Sequence, residues 1–530
     1  MLIRDRDFGR IEVRNISLPE EMEDIFGTYT CSGRVLISYH TSKDPDVSDW
    51  YNVAGIDEDG TNLRKVFSGV IPRIEGANGV RWMCFSDNRR ILLGDYIMEC
   101  DPDMDHCEKA ELERVIYPPE LTNAKDIFCR WSEVIIAPDN THMCWTALTG
   151  NGATNYLGRL VRQKDCYILK DVCIISSTEL CKPDPEHKGC VIPLPVRGGE
   201  VKQFIRGGRA LTMVGNGDSI TESVVQSLEN EEILPITDSP GYEETTIFSP
   251  DERLGMVMSP RFSGKTNCAV FGLVPQPHSM VIRSKIINIL YMYCVAGVRA
   301  FRKGNVGPAL IDIQRSRRKG RSYLGVDLSD PEGKWVYYSP ISWHPDSSHA
   351  MWNERTRPAD GPQKCRLRMC RLLDYTPGQT VPVCSTPGPD QIPYARPAHD
   401  PKQQSFHNPL PMKIMGKSSG YVINECNADN PETYIAAYDN FSDDGKTFYN
   451  GQLTVTAPPS MFSMGRTVLE VNLDVKGEHN GEMKLRAVFE RKNADAPAML
   501  SFAVGEDDLP ESHGWSTYDG TTLRIEDMEP

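Results

Sequence analysis

A short turn pattern recurs along the chain and restricts what it can fold into. In each copy an apolar or aromatic residue leads into Ser or Pro, then Asp and a polar turn, and a second apolar stretch follows. Five copies occupy residues 85–88, 137–140, 248–251, 343–346 and 441–445. Aspartate suits a tight hairpin because its carboxylate accepts hydrogen bonds from the backbone of the same turn. The pattern therefore predicts many short strand–turn–strand hairpins.

The spacing of the copies indicates a repeated sheet. Two degenerate copies, which keep only the turn glycine and the second strand, begin at Gly33 and Gly208. With anchors at 33, 87, 139, 208, 251, 346 and 444, the intervals are 54, 52, 69, 43, 95 and 98 residues. Three intervals are close to the roughly 40–50 residues that a four-stranded blade takes. We therefore predict an all-β fold, a β-propeller of about seven four-stranded blades (six to eight), with long loop insertions in the C-terminal half.

These turns, together with the Asp-Gly segment at 57–62, resemble the TolB/PD40 family of WD40-like repeats. The resemblance covers roughly residues 30–455. Within that superfamily the chain resembles the cytosolic oligogalacturonate lyases, which act on short uronate saccharides and carry a cluster of metal-binding histidines. This sequence has Tyr438, Asp439 and Asn440 before its last turn in place of a histidine-rich run. The resemblance therefore implies no firm cofactor. A divalent metal stays open, with His40, His399 or His407 as its ligands.

The sequence divides into four segments. Residues 1–30 are expected to supply an N-terminal strand that closes the ring, and 31–455 the blades. A Pro/Gly-rich stretch at 374–412 predicts an inserted ordered loop or lid. Residues 456–530 are expected to form closing strands or a small terminal sheet with a loose acidic tail. The apolar stretch at 284–301 predicts a buried helix or an irregular strand.

Composition excludes some functions. The chain has 58 Lys and Arg against 73 Asp and Glu, a net charge of −15, which argues against a nucleic-acid partner. The most apolar run, 286–298, is too short to span a membrane. Sixteen scattered cysteines and a charged N-terminal stretch indicate a reducing, cytoplasmic location. The oligomeric state is left open.

In a propeller, the loops after each second strand and before each first strand open on one face, around the channel mouth. The residues at those positions predict substrate contacts from Arg81, Trp82, Arg130, Trp131, Arg261, Arg355, Tyr39 and Asp439. Guanidinium groups match carboxylates, and aromatic rings stack on sugars. His40 and Tyr438 are the candidate catalytic groups, because either could exchange a proton with a bound molecule. The alternative is that the arginines form salt bridges with Asp95, Glu243 and Glu354.

Two functions follow from this pattern. One is an enzyme, a lyase or hydrolase, acting at the mouth on a small anionic, saccharide-like molecule. Its arginines would hold the carboxylate while a neighbouring C–H loses its proton to His40 or Tyr438. The other is a non-catalytic propeller that binds a ligand or a protein. Long loops at the mouth favour the enzyme.

Overall fold

Short antiparallel strands joined by tight hairpins make up most of the chain, as the turn pattern predicts. The computed structural model describes residues 1–122, 127–149, 152–177, 179–215, 221–398, 410–458, 463–493, 496–505 and 508–530. His399 and His407 lie outside the described residues.

The strands fall into an N-terminal series and a C-terminal series. The N-terminal series comprises β1 (Leu2–Asp5), β2 (Gly9–Asn15), β3 (Glu23–Tyr29), β4 (Val35–His40), β5 (Trp50–Ile56), β6 (Arg64–Val70), β7 (Met83–Cys84), β8 (Arg90–Leu92), β9 (Tyr96–Asp101), β10 (Lys109–Ile116), β11 (Ile127–Ile136), β12 (His142–Thr149), β13 (Gly152–Arg162), β14 (Cys166–Ile174), β15 (Cys181–Pro183), β16 (Val191–Pro193), β17 (Glu200–Ile205), β18 (Ala210–Gly215), β19 (Glu222–Ser227), β20 (Ile233–Pro235), β21 (Thr246–Phe248), β22 (Leu254–Val257), β23 (Ala309–Asp312), β24 (Val326–Asp327), β25 (Trp335–Trp343), β26 (His349–Thr356) and β27 (Cys365–Leu372). The C-terminal series comprises β28 (Arg396–Pro397), β29 (Met412–Met415), β30 (Ser419–Cys426), β31 (Thr433–Ser442), β32 (Thr447–Thr456), β33 (Gly465–Gly477), β34 (Gly481–Arg491), β35 (Met499–Leu500), β36 (His513–Tyr518) and β37 (Thr521–Arg524). The helices are α1 (Pro119–Thr122), α2 (Met280–Leu290), α3 (Gly297–Ala300) and α4 (Ile313–Lys319), with a π-helical turn at Tyr291–Ala296 between α2 and α3.

The N-terminal series forms six antiparallel sheet units, numbered here in chain order, and a separate two-stranded sheet of β15 and β16. Units 1 to 5 are β3–β6, β7–β10, β11–β14, β17–β20 and β21–β24. Unit 6 is β25–β27, extended by β2 and then β1 from the start of the chain. Units 2 and 3 share one nine-stranded sheet because β10 pairs in parallel with β14. The expected number of about seven separate four-stranded blades is therefore not confirmed.

Each unit contacts the next, and the last contacts the first. A hydrogen bond crosses every junction, from Ser32 to Asp105 (units 1 and 2), Ser86 to Asn140 (2 and 3), Val201 to Thr146 (3 and 4), Phe248 to Gln203 (4 and 5), Trp343 to Ile247 (5 and 6) and Gly27 to Asn353 (6 and 1). Apolar clusters fill the spaces between neighbouring units. The six units therefore form a closed circle of contacts.

A second sheet of nine strands, the C-terminal sheet, contains β29–β37. The fifth copy of the turn pattern joins β31 to β32 inside it. Residues 412–455, expected among the blades, therefore lie in this sheet, which also contains the later strands β33 to β37. The shared turn is the reason for the difference, because it specifies a hairpin and carries no information about which sheet receives it.

Unit 5 carries an insertion of residues 258–308 between β22 and β23. Its helical part, Met280–Ala300, packs against β31 and β32 of the C-terminal sheet. This helix is long and apolar enough to cross a membrane by length and composition, but half of its most apolar window is buried inside the protein. A buried core helix has the same properties, so one such helix is weak evidence for a membrane span. The helix lies where a buried helix or irregular strand was expected.

Residues 375–398 cross the hairpin ends of units 5, 4 and 3. The backbone N–H of Gly378 donates to Asp251 Oδ2 at 2.8 Å, and that of Thr386 to Asp139 Oδ2 at 3.0 Å. Between them, the N–H of Cys384 donates to the carbonyl of Gly207 at 2.9 Å. These three turns join first to second strands and define the turn face of the ring. The segment is therefore an ordered loop on the turn face and not a lid over the mouth.

The closing strand β2 should carry a large share of the stability of the ring. Ile11 is fully buried and pairs with Leu372 of β27. We expect Ile11→Ala to lower the free energy of unfolding by about 2–5 kcal/mol, because it leaves a cavity in the core. Glu12→Ala, on the opposite face of the same strand, should change it by less than about 0.5 kcal/mol. Urea denaturation of both variants measures this, and equal effects would contradict a core role for β2.

Candidate functional site

The first strands of several units meet at the centre of the circle. Strand β11 contacts β17, β17 contacts β21, β21 contacts β25 and β25 contacts β3. Side chains on these strands, and on the segments that lead into first strands, therefore converge from different units. Five charged residues do so and form what we call the axial cluster, which comprises Arg81, Glu133, Glu200, Lys202 and Glu244.

Lys202 organises the axial cluster. Its side chain is only 5% exposed, and its ammonium nitrogen lies 2.7 Å from Glu200 Oε2, 3.3 Å from Glu133 Oε1 and 3.4 Å from Glu244 Oε1. Arg81 Nη2 adds a second cation, 2.9 Å from the same Glu133 oxygen. A buried ammonium needs such partners, because an unpaired charge in the interior is costly.

Irregularities in the strands turn these side chains inward. The pairing of β17 with β18 shifts register between Val201 and Gln203, so that Val201 and Lys202 are both buried although they are consecutive. A second shift precedes Glu133 in β11. A β-bulge of this kind re-aims a side chain that strict alternation would send elsewhere.

The two carboxyl groups that contact Lys202 most closely have shifted pKa values of opposite sign. Burial raises the pKa of Glu133, and the charges of Arg81 and Lys202 oppose this only in part. Burial would also raise the pKa of Glu200, but the charge and hydrogen bond of Lys202 outweigh it, and the pKa is lowered. The side chains of Glu133 and Glu200 are 17% and 29% exposed, so solvent reaches both. The cluster thus holds one carboxyl with a raised pKa beside one with a lowered pKa.

The helix of the insertion lies over the axial cluster. The Tyr242 hydroxyl donates to Glu244 Oε2 at 3.2 Å, and the Tyr242 ring lies 6.4 Å from that of Tyr291 on the helix. Arg299, at the end of the helix, donates to the carbonyl of Tyr337 in β25 at 3.3 Å. The insertion leaves unit 5 after its second strand, so it covers the face opposite the turn face. The axial cluster is therefore bordered by the insertion as well as by the sheets.

Two of the predicted arginines are held in buried ion pairs. Arg130 Nη2 lies 2.7 Å from Asp95 Oδ2, and the other oxygen of Asp95 accepts from Trp131 Nε1 at 3.2 Å. Arg261 Nη2 lies 2.6 Å from Glu243 Oε2, with both side chains almost fully buried. Asp95 and Glu243 are the partners that the salt-bridge alternative expected.

The other predicted residues of the ring lie apart from the axial cluster, except Arg81. Trp82 is buried beside Phe26 and Tyr51. Tyr39 and His40 end β4, a second strand, and His40 Nδ1 lies 3.6 Å from Asp44.

Arg355 stacks over Tyr338 at 5.5 Å and reaches Asp24 only at 4.0 Å. Glu354, its expected partner, instead binds Arg366 through Oε2. A one-residue difference along β26 changes the face on which a side chain lies, so neighbouring residues take different partners.

Tyr438 and Asp439 lie in β31 of the C-terminal sheet. The Tyr438 hydroxyl is buried and donates to the carbonyl of Pro275 at 2.9 Å, and burial raises its pKa far above the usual range. Asp439 is exposed on the same strand. The structure does not bring Tyr438 together with His40, which belongs to unit 1.

Sequence reasoning missed Glu133, Glu200, Lys202 and Glu244. The strand start at residues 200–203 is mostly polar, so Lys202 carries no sequence signal that sets it apart. Its inward direction depends on the bulge, which the sequence does not reveal.

Comparisons with known proteins bear on the fold. No family model and no curated protein matches the sequence. A putative TolB from Agrobacterium tumefaciens matches at 12% identity and a TM-score of 0.32, over 58% of this chain and 80% of that chain. An oligogalacturonate lyase in complex with manganese matches at 11% and 0.36, over 71% and 96%. The β-propeller domain of the trilobed protease from Pyrococcus furiosus matches at 7% and 0.29, over 68% and 98%.

The chain's own strands make it a mostly-β protein, and the solved structures with a distant likeness to it include propellers. Its resemblance to TolB-type propellers is distant, and at these identities the likeness concerns the fold alone.

Substitution by alanine should destabilise the protein more at the buried Arg261 than at the partly exposed Arg355. Arg261→Ala leaves Glu243 buried without its partner, so we expect a loss of about 3–5 kcal/mol in the free energy of unfolding. Arg355→Ala removes a partly exposed side chain with one weak ion contact, and should cost less than about 1 kcal/mol. Chemical denaturation of the two variants tests this, and a small effect of Arg261→Ala would reopen a ligand-binding role for that residue.

Proposed function

We propose that this protein is a propeller enzyme, a lyase that acts at the axial cluster on a small saccharide-like molecule bearing a carboxylate. The six sheet units are its blades, with unit 6 closed by β2. The C-terminal sheet and the insertion are additions on the mouth side. A hydrolase acting through the same residues is the nearest variant of this proposal.

The assignment of six blades is supported by the closed circle of junction hydrogen bonds. Every unit supplies four strands if β2 counts as the fourth strand of unit 6. The long interval between the turns at 251 and 346 contains the insertion of unit 5 and not a further blade. The last turn, at 444, belongs to the C-terminal sheet.

The observation that carries the proposed activity is the pair Glu133 and Glu200 on one ammonium group. Two neighbouring carboxyl groups whose surroundings move their pKa values apart form a natural acid and base. Glu133 retains its proton more readily and serves as the acid, while Glu200 is ionised and serves as the base. Both contact the Nζ of Lys202, so both face the same small volume.

The proposed reaction is an elimination. Ionised Glu200 takes the proton from the carbon next to the substrate carboxylate, a carbon–carbon double bond forms, and the bond from the β-carbon to the leaving oxygen breaks. Protonated Glu133 gives its proton to that oxygen. Arg81 and Lys202 neutralise the charge that develops on the substrate carboxylate. In a hydrolase the same two groups would instead activate water and protonate the leaving oxygen.

The ligand class is supported by the mixture of charges. Arg81, whose side chain is 25% exposed, can receive a carboxylate, and Lys202, already bonded to three glutamates, adds positive charge behind it. The oxygens of Glu244 and Glu200 can accept hydrogen bonds from sugar hydroxyls. Tyr291, half-buried beside the cluster, offers a ring face for stacking, and the buried Tyr242 supports it. His40 is a less direct candidate for the base, since it lies at the end of β4 beside Asp44.

A cytoplasmic location, with no nucleic-acid or membrane partner, is part of the proposal. All sixteen cysteines are free thiols, which suits a reducing compartment. The net charge of −15 disfavours a polyanionic partner such as nucleic acid.

Substitution of either carboxyl should abolish most of the activity. We expect Glu133→Gln and Glu200→Gln each to lower kcat/KM on short uronate oligosaccharides by about 10²–10⁴-fold, because proton transfer is lost while size is kept. Glu478→Gln, an exposed change on the C-terminal sheet, is the matched control. An unsaturated product, followed by its ultraviolet absorbance, identifies the lyase, and new reducing ends without absorbance identify the hydrolase. If the folded wild type shows no turnover and no calorimetric binding of these saccharides, the non-catalytic alternative is favoured.

The pH profile of kcat/KM should have two limbs, one falling on the acidic side and one on the alkaline side. Glu200 must be ionised, so kcat/KM should fall at acidic pH, around a value below the ordinary glutamate pKa of 4.5. Glu133 must be protonated, so kcat/KM should fall again on the alkaline side, around a value above 4.5. The residual activity of Glu133→Gln should lack the alkaline limb. An alkaline limb that persists in this variant would assign the acid to another residue.

A further inference from the structure

Four turns of this protein share one local device. In each, an aspartate is followed three residues later by a histidine, and the carboxylate contacts the ring Nδ1. The pairs and distances are Asp103–His106 at 3.0 Å, Asp139–His142 at 2.7 Å, Asp184–His187 at 2.8 Å and Asp346–His349 at 2.9 Å. The carboxylate also accepts from backbone N–H groups of its turn. In three of the four turns, these hydrogen bonds within the turn fully account for the aspartate and the histidine.

The turn at Asp346 differs because a second histidine faces the same carboxylate. His344 Nδ1 lies 3.0 Å from Asp346 Oδ1, and His349 Nδ1 lies 2.9 Å from Asp346 Oδ2. The two rings meet edge to face with centroids 5.1 Å apart. Within the described part of the chain, this is the one group of three His, Cys, Asp or Glu residues whose donor atoms all lie within 4.8 Å of one another.

The contacts of His344 leave one interaction unsatisfied. The backbone N–H of Asp346 donates to His344 Nδ1 at 3.2 Å, which requires a lone pair on that nitrogen. The same nitrogen faces Asp346 Oδ1 at 3.0 Å, which is also an acceptor. If Nδ1 is protonated instead, it satisfies the carboxylate but opposes the backbone N–H. A cation there takes the nitrogen lone pair and the carboxylate as ligands, and the exposed backbone N–H of Asp346 can then donate to water.

The packing holds both rings in place. His344 Nε2 lies so close to Gly33 of unit 1 that a Cβ there would come within 2.2 Å, so Nδ1 is the nitrogen left to bind an ion. The Tyr29 ring supports His344 edge-on at 5.3 Å. His349 is buried at 7% exposure, with its Nδ1 directed at Asp346 Oδ2. Asp346 is more exposed, which leaves a position open to water.

We propose that His344, Asp346 and His349 bind a divalent transition metal of the zinc class, with solvent as the fourth ligand. Two imidazole nitrogens and one carboxylate oxygen are donors that zinc accepts in a tetrahedral arrangement. The site lies on the turn of unit 6, against Tyr29 and Gly33 of unit 1. Metal binding there stabilises the junction at which the circle closes. This inference is independent of the axial cluster and of the proposed reaction.

Zinc titration of the full chain, after dialysis against a chelator, tests the site. We expect one equivalent of Zn²⁺ to bind by calorimetry and to raise the melting temperature. His344→Phe keeps the ring packed on Gly33 and Tyr29 but removes the nitrogen, and should weaken binding by more than about tenfold. His142→Ala is the matched control, because it alters the same turn device where no second histidine is present.

Cobalt spectroscopy separates this site from the cysteines. Bound Co²⁺ should give the visible bands of a tetrahedral nitrogen and oxygen site without thiolate charge-transfer absorption. The proposal is overturned if the wild type binds no Zn²⁺, if His344→Phe binds it as tightly as the wild type, or if the cobalt spectrum shows thiolate ligation. Because no substrate is used, failure here leaves the axial cluster untouched, and failure of the enzyme assay leaves the metal site untouched.

Discussion

Addition of the N-terminal strand β2 to β27 is the interaction on which the arrangement of the units depends. An unpaired edge on β27 would expose backbone donors and acceptors at the last sheet of the circle. Strand β2 satisfies them and buries Ile11 and Val13 in the core. Unit 6 also contacts unit 1, where the backbone N–H of Gly27 donates to Asn353 Oδ1. The circle of contacts that runs from unit 1 to unit 6 closes at this junction.

The hairpins were predictable because their chemistry is local. An aspartate between two apolar stretches has backbone N–H groups within reach, whatever sheet surrounds it, and Asp139 and Asp444 each accept two of them in the structure. For the same reason the number of sheets was not predictable from the turns. The copy at Asp444 builds a hairpin of the C-terminal sheet with the same contacts. Local chemistry thus specifies each hairpin, and the arrangement of the hairpins into sheets depends on tertiary packing.

The candidate site was less predictable, since the direction of a charged side chain depends on register. Lys202 is buried through a bulge that no sequence pattern reveals, and its three carboxylate partners come from units 3 and 4 and the segment before unit 5. Among the predicted arginines, only Arg81 reaches the axial cluster. Arg130 lies inside β11 and Arg261 lies in the insertion after β22, and carboxylates of the same chain bind both.

The two faces of the circle are covered by different parts of the chain, which has a consequence for the axial cluster. On the turn face, residues 375–398 occupy the aspartates that a ligand could otherwise use. On the other face, the insertion places Tyr291 beside the cluster, with Arg299 at the end of the same helix. Exclusion of water strengthens every interaction among the charges beneath it. A ligand at Lys202 must therefore contact the insertion as well as the sheets, so the insertion contributes to the choice of ligand.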